Sequence, residues 1–245
     1  MADGYLNLTG ASGTYWQTPD HASFDIAGDH EIRMDMLLGD GDWSPGSGGN
    51  QGAISRWNAV GQHWAPSLSQ NGQPNGFWKD TTTANIQTGY GNAFTVSDRA
   101  HWRLVLDADN DAGGYQFDVY ERQDYTKALT DDTGWVSVRS VTGGATTDII
   151  TGAGTIQMPG HTNGTVNLPD LGLRVYQMMM WDGFKAAGTL LIDPDFRSTS
   201  QGDWSTGGPI NDDVGRSWSG TGAGWSYVPA ADPVNRTNII FVAAN

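Results

Sequence analysis

The acidic residues near the middle of the chain have a spacing that could bind a cation. Four aspartates lie within one short stretch, the first three of them two residues apart: Asp107, Asp109, Asp111 and Asp118. Carboxylates spaced in this way can turn several oxygens toward one calcium ion. Two features oppose a calcium loop: its sixth position is Ala112 instead of glycine, and its flanks have strand character. The alternative is an acidic hairpin tip whose aspartates bond their own backbone. We expect no metal or other cofactor, with calcium here as the open alternative.

Carboxylates are also the groups that hydrolyse glycosidic bonds, which requires a pair about 5 to 10 Å apart, one with a raised pKa. The chain has two glutamates, Glu31 and Glu121, in different strands and near basic residues. We interpret both as solvated strand charges. The histidines form neither a Ser-His-Asp pattern nor a close metal spacing; they are His21, His30, His63, His101 and His161. We therefore expect a protein without enzymatic activity.

Aromatic rings are the other groups that could act at a surface, because exposed Trp or Tyr rings stack on sugars. Trp43 lies in a Gly-rich segment, and Trp78 lies near a hairpin predicted to join residues 63–70 to 75–79, so neither has a clear buried register. They are the candidate glycan-binding residues. Other tryptophans lie in strand patterns and are expected in the core: Trp57, Trp102, Trp135 and Trp181.

The elements that must position these side chains are strands. Residues 101–122 contain two runs of alternating apolar and polar residues joined by a loop rich in Asp, Asn and Gly, which predicts a long antiparallel hairpin. Similar alternation occurs in residues 31–38, where Ile32, Met34 and Met36 face one way and Arg33 and Asp35 the other. Further strands are predicted at 135–141 and 171–184. A hairpin cannot bury its apolar face alone, so a second sheet must cover it.

Composition supports this architecture and limits the partners. The 245 residues include 34 Gly and 11 Trp, which favours short strands joined by tight turns in one main all-β domain. The net charge is −14, and all but two of the 27 acidic residues are aspartates, which favour loops. Such a surface repels phosphate backbones and anionic headgroups, so we expect no nucleic-acid partner and no membrane insertion.

The cellular compartment has to be inferred from absences in the sequence. There is no cysteine, hence no disulfide framework and no thiol chemistry. The N-terminus has no basic start followed by an apolar run, and no stretch approaches the length of a transmembrane helix. Proteins of virus particles, which are assembled in the host cytoplasm and released by lysis, have this combination. We expect a virion location, exposed on the particle surface.

Several blocks of the sequence together resemble a known family. They are residues 5–38, GAISRW at 52–57, HWAPSLSQNGQPNGFWKD at 63–80, residues 101–122, DDTGWVSVRS at 131–140, LGLRVYQMMMWDGF at 171–184 and LLIDPDF at 190–196. This series is similar to the laminin-G, or concanavalin A-like, jelly-roll domains of bacteriophage virion proteins, in particular minor tail proteins of phages of actinobacteria. The resemblance covers residues 5–196. It implies a two-sheet antiparallel jelly-roll sandwich over residues 1–196, with an irregular C-terminal extension over 197–245.

The resemblance also carries expectations about function. It implies a non-enzymatic minor tail protein that contacts host-surface glycan, and the E-x-D-x-x-E motif of jelly-roll glycosidases is absent here. One alternative is a head decoration protein that stabilises the capsid lattice, and another is a free lectin-like module. Expected partners are other virion proteins, host cell-wall polysaccharide and further copies of the chain. The Trp-rich extension is predicted to pack either on its own sandwich or on a neighbouring subunit.

Overall fold

The computed structural model describes most of the chain. The described residues are 3–8, 15–38, 51–52, 54–57, 62–64, 66–68, 73–80, 85–89, 92, 99–110, 113–144, 148–149, 151–158, 161–162, 165–166, 173–222 and 225–230. Every statement below on structure refers to these residues.

Regular structure in the described residues is almost wholly β. The strands are β1 (Tyr5–Leu8), β2 (Tyr15–Thr18), β3 (His30–Leu38), β4 (Gln51–Gly52), β5 (Arg56–Trp57), β6 (Gln62–Trp64), β7 (Ser67–Leu68), β8 (Pro74–Asn75), β9 (Phe77–Lys79), β10 (Asn85–Gln87), β11 (Ala100–Asp107), β12 (Gln116–Arg122), β13 (Val136–Thr142), β14 (Ile156–Met158), β15 (His161–Thr162), β16 (Thr165–Val166), β17 (Leu173–Asp182), β18 (Thr189–Ile192), β19 (Ile210–Asn211), β20 (Ser217–Thr221) and β21 (Trp225–Val228). Two single 3₁₀ turns occur, at Ala22–Phe24 and Trp204–Thr206. Neither could span a bilayer, and no other helix occurs in the described segments.

The predicted central hairpin is confirmed. β11 and β12 pair antiparallel with His101 opposite Arg122 and Asp107 opposite Gln116. They are the second and third strands of a large antiparallel sheet with the order β13-β12-β11-β3-β17-β1-β21, to which β18 adds beside β17. The apolar residues of the alternating pattern lie on one face of this sheet and are buried: Ile32, Met34, Met36, Leu104, Leu106, Phe117 and Val119.

Shorter sheets form a second layer over that apolar face. Two of them have four strands each, in the orders β10-β9-β6-β5 and β14-β2-β20-β19. Their large buried residues, including Trp16, Trp64, Trp78, Ile156 and Trp218, belong to the same continuous core as the large sheet. The predicted all-β class and antiparallel jelly-roll sandwich are confirmed, and tryptophans supply a large part of the buried core.

The segment after residue 196 belongs to the same sandwich in its described part. β21 pairs with β1 at the edge of the large sheet, and β20 pairs with β2 in the second layer. Trp204 and Trp218 are fully buried in the common core. The described part of this segment therefore shares the core of the preceding strands and contains three strands of its own, β19 to β21. Residues 231–245 lie outside the described residues.

One buried carboxyl in this region makes a pH prediction possible. Asp193 is 8% exposed, its Oδ1 accepts a hydrogen bond of 2.8 Å from Gln177 Nε2, and burial raises its pKa from 3.8 to about 6. The pKa of the Asp193 carboxyl is higher in the folded protein than in the unfolded chain, so ionisation of this group lowers the free energy of unfolding. The loss is absent below pH 3.8, grows as the pH rises toward about 6 and is complete above it. We expect Asp193→Asn to remove this decline, gaining roughly 2 kcal/mol in unfolding free energy between pH 4 and 7 relative to the parent protein.

Urea denaturation of both proteins across that pH range measures the difference. Aspartates with lowered pKa values, such as Asp132, are common to both proteins and cancel in the comparison. Asp148→Asn, which removes a carboxylate at an exposed position in another loop, is the matched control and should give a curve parallel to the parent. Parallel curves for Asp193→Asn would show that burial of this carboxyl has no such cost.

Candidate functional site

The structure places the two candidate sugar-stacking tryptophans differently. Trp78 lies in β9 opposite Trp64 of β6, as the predicted hairpin required, but its ring is 1% exposed and packs edge-on against Tyr115 with the centroids 4.8 Å apart. The expectation that Trp78 is exposed is wrong, because the second layer turns this ring into the core. A ring so enclosed offers no face to a sugar. Trp43 lies outside the described residues.

The tryptophans assigned to the core follow the prediction in part. Trp102 and Trp181 are 2% and 5% exposed. Trp135 is half-buried at the surface of the large sheet, where the guanidinium carbons of Arg33 and Arg122 lie 5.6 and 4.4 Å from its ring centroid. The side chain of Trp57 lies outside the described set.

The outer face of the large sheet, opposite the core, is where charged residues gather. Strand alternation predicts that polar side chains there meet water, and for one end of the sheet this is wrong. Seven charged or titratable side chains lie there, mostly buried, and we call them the charge cluster: Glu31, Arg33, Asp35, Arg99, His101, Arg103 and Arg122. Glu31 is 0% and Glu121 5% exposed, so the interpretation of both glutamates as solvated charges is also wrong.

Each acid of the charge cluster is neutralised by arginine. Glu31 Oε1 lies 2.6 Å from Arg33 Nε and 2.7 Å from Arg103 Nε. Asp35 accepts two hydrogen bonds from Arg99, of 2.8 and 2.6 Å. Burial raises the pKa of each carboxyl, but the arginine hydrogen bonds outweigh it and leave both pKa values lowered. Both acids stay ionised at neutral pH, which is unsuited to a general acid.

His101 is held as a neutral link within the cluster. Its Nδ1 accepts hydrogen bonds from Arg122 Nη2 and Nε, at 2.7 and 3.2 Å. Because an arginine can only donate, Nδ1 carries no proton, and the ring proton lies on Nε2, which faces Asp35 Oδ2 at 3.5 Å. In a catalytic site a His–Asp pair would activate a nucleophile. Here the His101–Asp35 pair holds the Arg122 guanidinium, so its role is structural.

The charge cluster fixes the loop that covers it, residues 123–135, which we call the covering loop. Arg33 Nη1 donates to the carbonyl of Leu129 at 2.8 Å. Arg122 donates to the carbonyls of Ala128, Asp131 and Thr133, at 2.7, 2.8 and 3.1 Å. Asp132 lies 2.5 Å from Arg33 and 2.7 Å from Lys185, which lower its pKa to about 2. Arg33 and Arg122 therefore hold the covering loop at several main-chain carbonyls, although the loop contains no helix or strand.

Beyond the covering loop the outer face is open. Three rows of three side chains cross β11, β12 and β13 there, and we call these nine residues the outer grid: Arg103, Tyr120 and Ser137; Val105, Asp118 and Ser140; Asp107, Gln116 and Thr142. The β13 members are exposed and the others partly exposed. The grid measures about 10 Å across the strands and about 14 Å along them.

The side chains of the outer grid bond to one another and are held in place. Asp118 Oδ2 accepts from Gln116 Nε2 at 2.8 Å and from the Tyr120 hydroxyl at 3.5 Å. The Arg103 guanidinium lies 5.1 Å from the Tyr120 ring centroid and is tied to Glu31. Burial and the Asp118 charge raise the pKa of Tyr120, so its hydroxyl keeps its proton. Among the residues that the structure describes, none hydrogen-bonds to Asp118 Oδ1. The grid combines a carboxylate, an amide, a guanidinium and an aromatic ring on a rigid sheet.

Two of the four aspartates whose spacing could bind calcium, Asp107 and Asp118, belong to the outer grid. Asp118 lies in mid-strand opposite Val105, and Asp107 ends β11, while Asp111 lies outside the described residues. The described residues contain no group of three or more metal-ligating side chains placed to hold one ion.

Sequence comparison gives no family for this chain. It matches no protein-family model. No curated protein matches it either.

Several solved structures have partial similarity in fold. A SAP-like pentraxin from Limulus polyphemus aligns with a TM-score of 0.43 and 10% identity, over 74% of this chain and 76% of the pentraxin. The receptor-binding domain of botulinum neurotoxin mosaic serotype C/D gives 0.46 and 7%, over 74% of this chain and 43% of that chain. The CBM40 of Ruminococcus gnavus IT-sialidase, bound to α2,6 sialyllactose, gives 0.30 and 13%, over 71% and 90%. At such scores these similarities decide nothing about function.

Proposed function

We propose that this chain is a non-catalytic glycan-binding sandwich and that the outer grid is its binding surface. The observation that carries the proposal is the set of side chains held together at Asp118. A carboxylate, an amide and a guanidinium can read the hydroxyls of a sugar, and the Tyr120 ring offers an apolar contact. Because these groups are ordered before binding, little conformational entropy is lost on association.

The charges of the grid favour a neutral or cationic glycan. Asp107 and Asp118 are the acids of the grid, and its one guanidinium is tied to Glu31. With a chain charge of −14, an anionic sugar would be repelled. The absence of catalysis is proposed because the buried acids of the charge cluster are committed to arginines.

A glycan array followed by calorimetry with the best neutral oligosaccharide tests this proposal. We expect Asp118→Ala and Tyr120→Ala each to weaken binding about tenfold or more, since each removes one partner of an ordered contact. Asp213→Ala removes an exposed carboxylate from the second layer and should leave the affinity within about twofold. Binding that survives both grid substitutions would place the sugar elsewhere, and an array without any neutral glycan would overturn the proposal.

We further propose that the protein is displayed on a bacteriophage particle as a minor tail protein. This placement is supported by the sequence resemblance. The alternative is a head decoration protein, which would use the C-terminal extension and one sheet to clamp neighbouring capsomers. In the described residues, β20 and β21 of that extension pair with β2 and β1 of the chain's own sandwich. Antibodies against the recombinant protein should label purified particles at the tail. Labelling of heads would instead support decoration, and unlabelled particles a free lectin.

A further inference from the structure

One peptide bond of the chain joins two residues whose chemistry makes the bond breakable. Asp193 and Pro194 directly follow β18, and both are buried. The carboxyl carbon of an aspartate is separated from its own main-chain carbonyl carbon by Cα and Cβ, so bonding of a carboxyl oxygen to that carbon closes a five-membered ring. The competing reaction, attack of the next residue's amide on the carboxyl, needs an N–H that proline lacks. The carboxyl of Asp193 is therefore directed at its own backbone.

Side chains hold the backbone of Asp193 on both sides of its Cα. The amide of Asp193 donates to Asp212 Oδ2 at 2.9 Å, and its carbonyl accepts a hydrogen bond of 2.8 Å from Gln201 Nε2. Gln201 is itself fixed, because its Oε1 accepts from the amide of Asp195 at 2.9 Å. A fixed donor at this oxygen polarises the carbonyl and stabilises the negative charge that the oxygen gains when its carbon is attacked.

The surroundings of the Asp193 carboxyl favour its protonated form. Its Oδ1 accepts from Gln177 Nε2 at 2.8 Å. The charged groups that act on it are acids, namely Asp195, Asp212 and Asp213. Within the described part of the chain no cation pairs with it: Arg197 is bound to Asp195, and Arg216 donates to the carbonyl of Leu191. Burial, with the repulsion of these acids, raises the pKa of Asp193 to about 6, so the proton is present in mildly acidic solution.

We propose that the folded chain cleaves its own backbone between Asp193 and Pro194 in mildly acidic solution. A carboxyl oxygen of Asp193 bonds to the main-chain carbonyl carbon of the same residue, and the bond from that carbon to the Pro194 nitrogen breaks with its electron pair on nitrogen. The carboxyl proton ends on this nitrogen, which becomes the secondary amine of a new N-terminus. One water then opens the cyclic anhydride left on Asp193 and gives the two carboxyl groups of a C-terminal aspartate.

Cleavage at this bond leaves the sandwich assembled. β20 stays paired with β2, and β21 with β1, while Trp204 stays in the common core. The product is a protein of two chains, residues 1–193 and 194–245, which denaturant would separate. The reaction occurs once in each chain and turns over no substrate, so it is independent of the proposed glycan binding.

Denaturing mass spectrometry of the full chain, after incubation in the folded state, tests the proposal. We expect fragments 1–193 and 194–245 to accumulate at about pH 5 and to be scarce at about pH 8, where the carboxyl has lost its proton. In urea at the lower pH the same bond should be cleaved more slowly by about tenfold or more, because Gln201 no longer holds the carbonyl. The second Asp–Pro bond of the sequence, at 232–233, should then be cleaved at a similar low rate.

Variants separate the roles of the two side chains. Asp193→Asn removes the attacking carboxyl and should stay intact at both pH values; it is expected to be more stable than the parent, so unfolding would not account for this result. Gln201→Ala should slow cleavage about tenfold without moving the pH at which the rate is half-maximal. Asp148→Asn removes an exposed carboxylate in another loop and, as the matched control, should be cleaved like the parent.

Three results would overturn self-cleavage. The first is a folded chain that stays intact through a long incubation at about pH 5. The second is an equal rate in folded and urea-unfolded protein, which would show only the ordinary acid lability of an Asp–Pro bond. The third is the appearance of the same two fragments from Asp193→Asn, which would identify a contaminating protease as the cause.

Discussion

Substitution of Arg33 by methionine should lower the free energy of unfolding by roughly 3 to 5 kcal/mol, the largest effect expected for one charged residue here. The Arg33 side chain is 1% exposed and neutralises Glu31, which is equally buried. Its loss leaves Arg103 as the remaining side-chain cation against Glu31 and removes the hydrogen bonds to the covering loop at Leu129 and Asp132. Methionine fills the volume but supplies no charge. Guanidinium denaturation at pH 7 measures the change.

Lys127→Met is the matched control in the same region. Its ammonium is one-third exposed, donates to Thr133 Oγ1 at 2.6 Å and lies 3.8 Å from Asp131, so its loss should cost less than about 1 kcal/mol. Amide exchange adds a local measurement: protection in residues 123–135 should fall in Arg33→Met and remain in Lys127→Met. Equal losses of stability in the two variants would show that the buried arginine does not hold the loop.

Substitution of Trp204 by alanine should destabilise the protein by about 3 to 5 kcal/mol, because it opens a cavity in the shared core. The ring is 0% exposed and packs against Trp16 and Phe196, with centroids 5.6 and 4.5 Å away. Its Nε1 donates to the carbonyl of Asp195 at 3.1 Å. Thermal and urea unfolding would show the loss as an earlier cooperative transition.

This result would establish that the segment after residue 196 is part of the folding unit. Val136→Ala, at a position 61% exposed, is the control and should change stability by less than about 0.5 kcal/mol. A fragment of residues 1–196 should fail to unfold cooperatively, because β1 and β2 lose their partners β21 and β20. A stable, cooperative 1–196 fragment would contradict the shared core.

Alternation along single strands made the sheet predictable. In β3, β11 and β12 the apolar positions, such as Ile32 and Leu104, are the buried ones, because period-2 geometry is a local property. The outer face was misjudged because Arg33 is covered by Leu129, which lies 96 residues away in sequence. No residue close to Arg33 in the sequence indicates that the covering loop will bury it.

Contacts between residues that are distant in sequence also explain the other differences between the predictions and the structure. Trp78 was expected at the surface because its flanking residues, Phe77 and Lys79, show no clear register, whereas its neighbour across the sheet is Trp64. The C-terminal segment has few alternating residues, and its strands form because the N-terminal strands offer them open edges. The outer grid was missed because its members come from three strands. The signal that could have found it is the polar set Gln116, Asp118 and Tyr120 at alternate positions of one predicted strand.

The way the covering loop is anchored leaves the amino-acid identity of several of its positions free. The arginines bond to its carbonyl oxygens, at residues such as Ala128 and Leu129, and those oxygens are present whatever side chain the residue carries. Exposed positions such as Gln123, Ala128 and Thr130 could therefore be exchanged while the loop keeps its path. A surface of this kind can diversify rapidly during evolution, or be randomised in a display library, without loss of the scaffold that supports it.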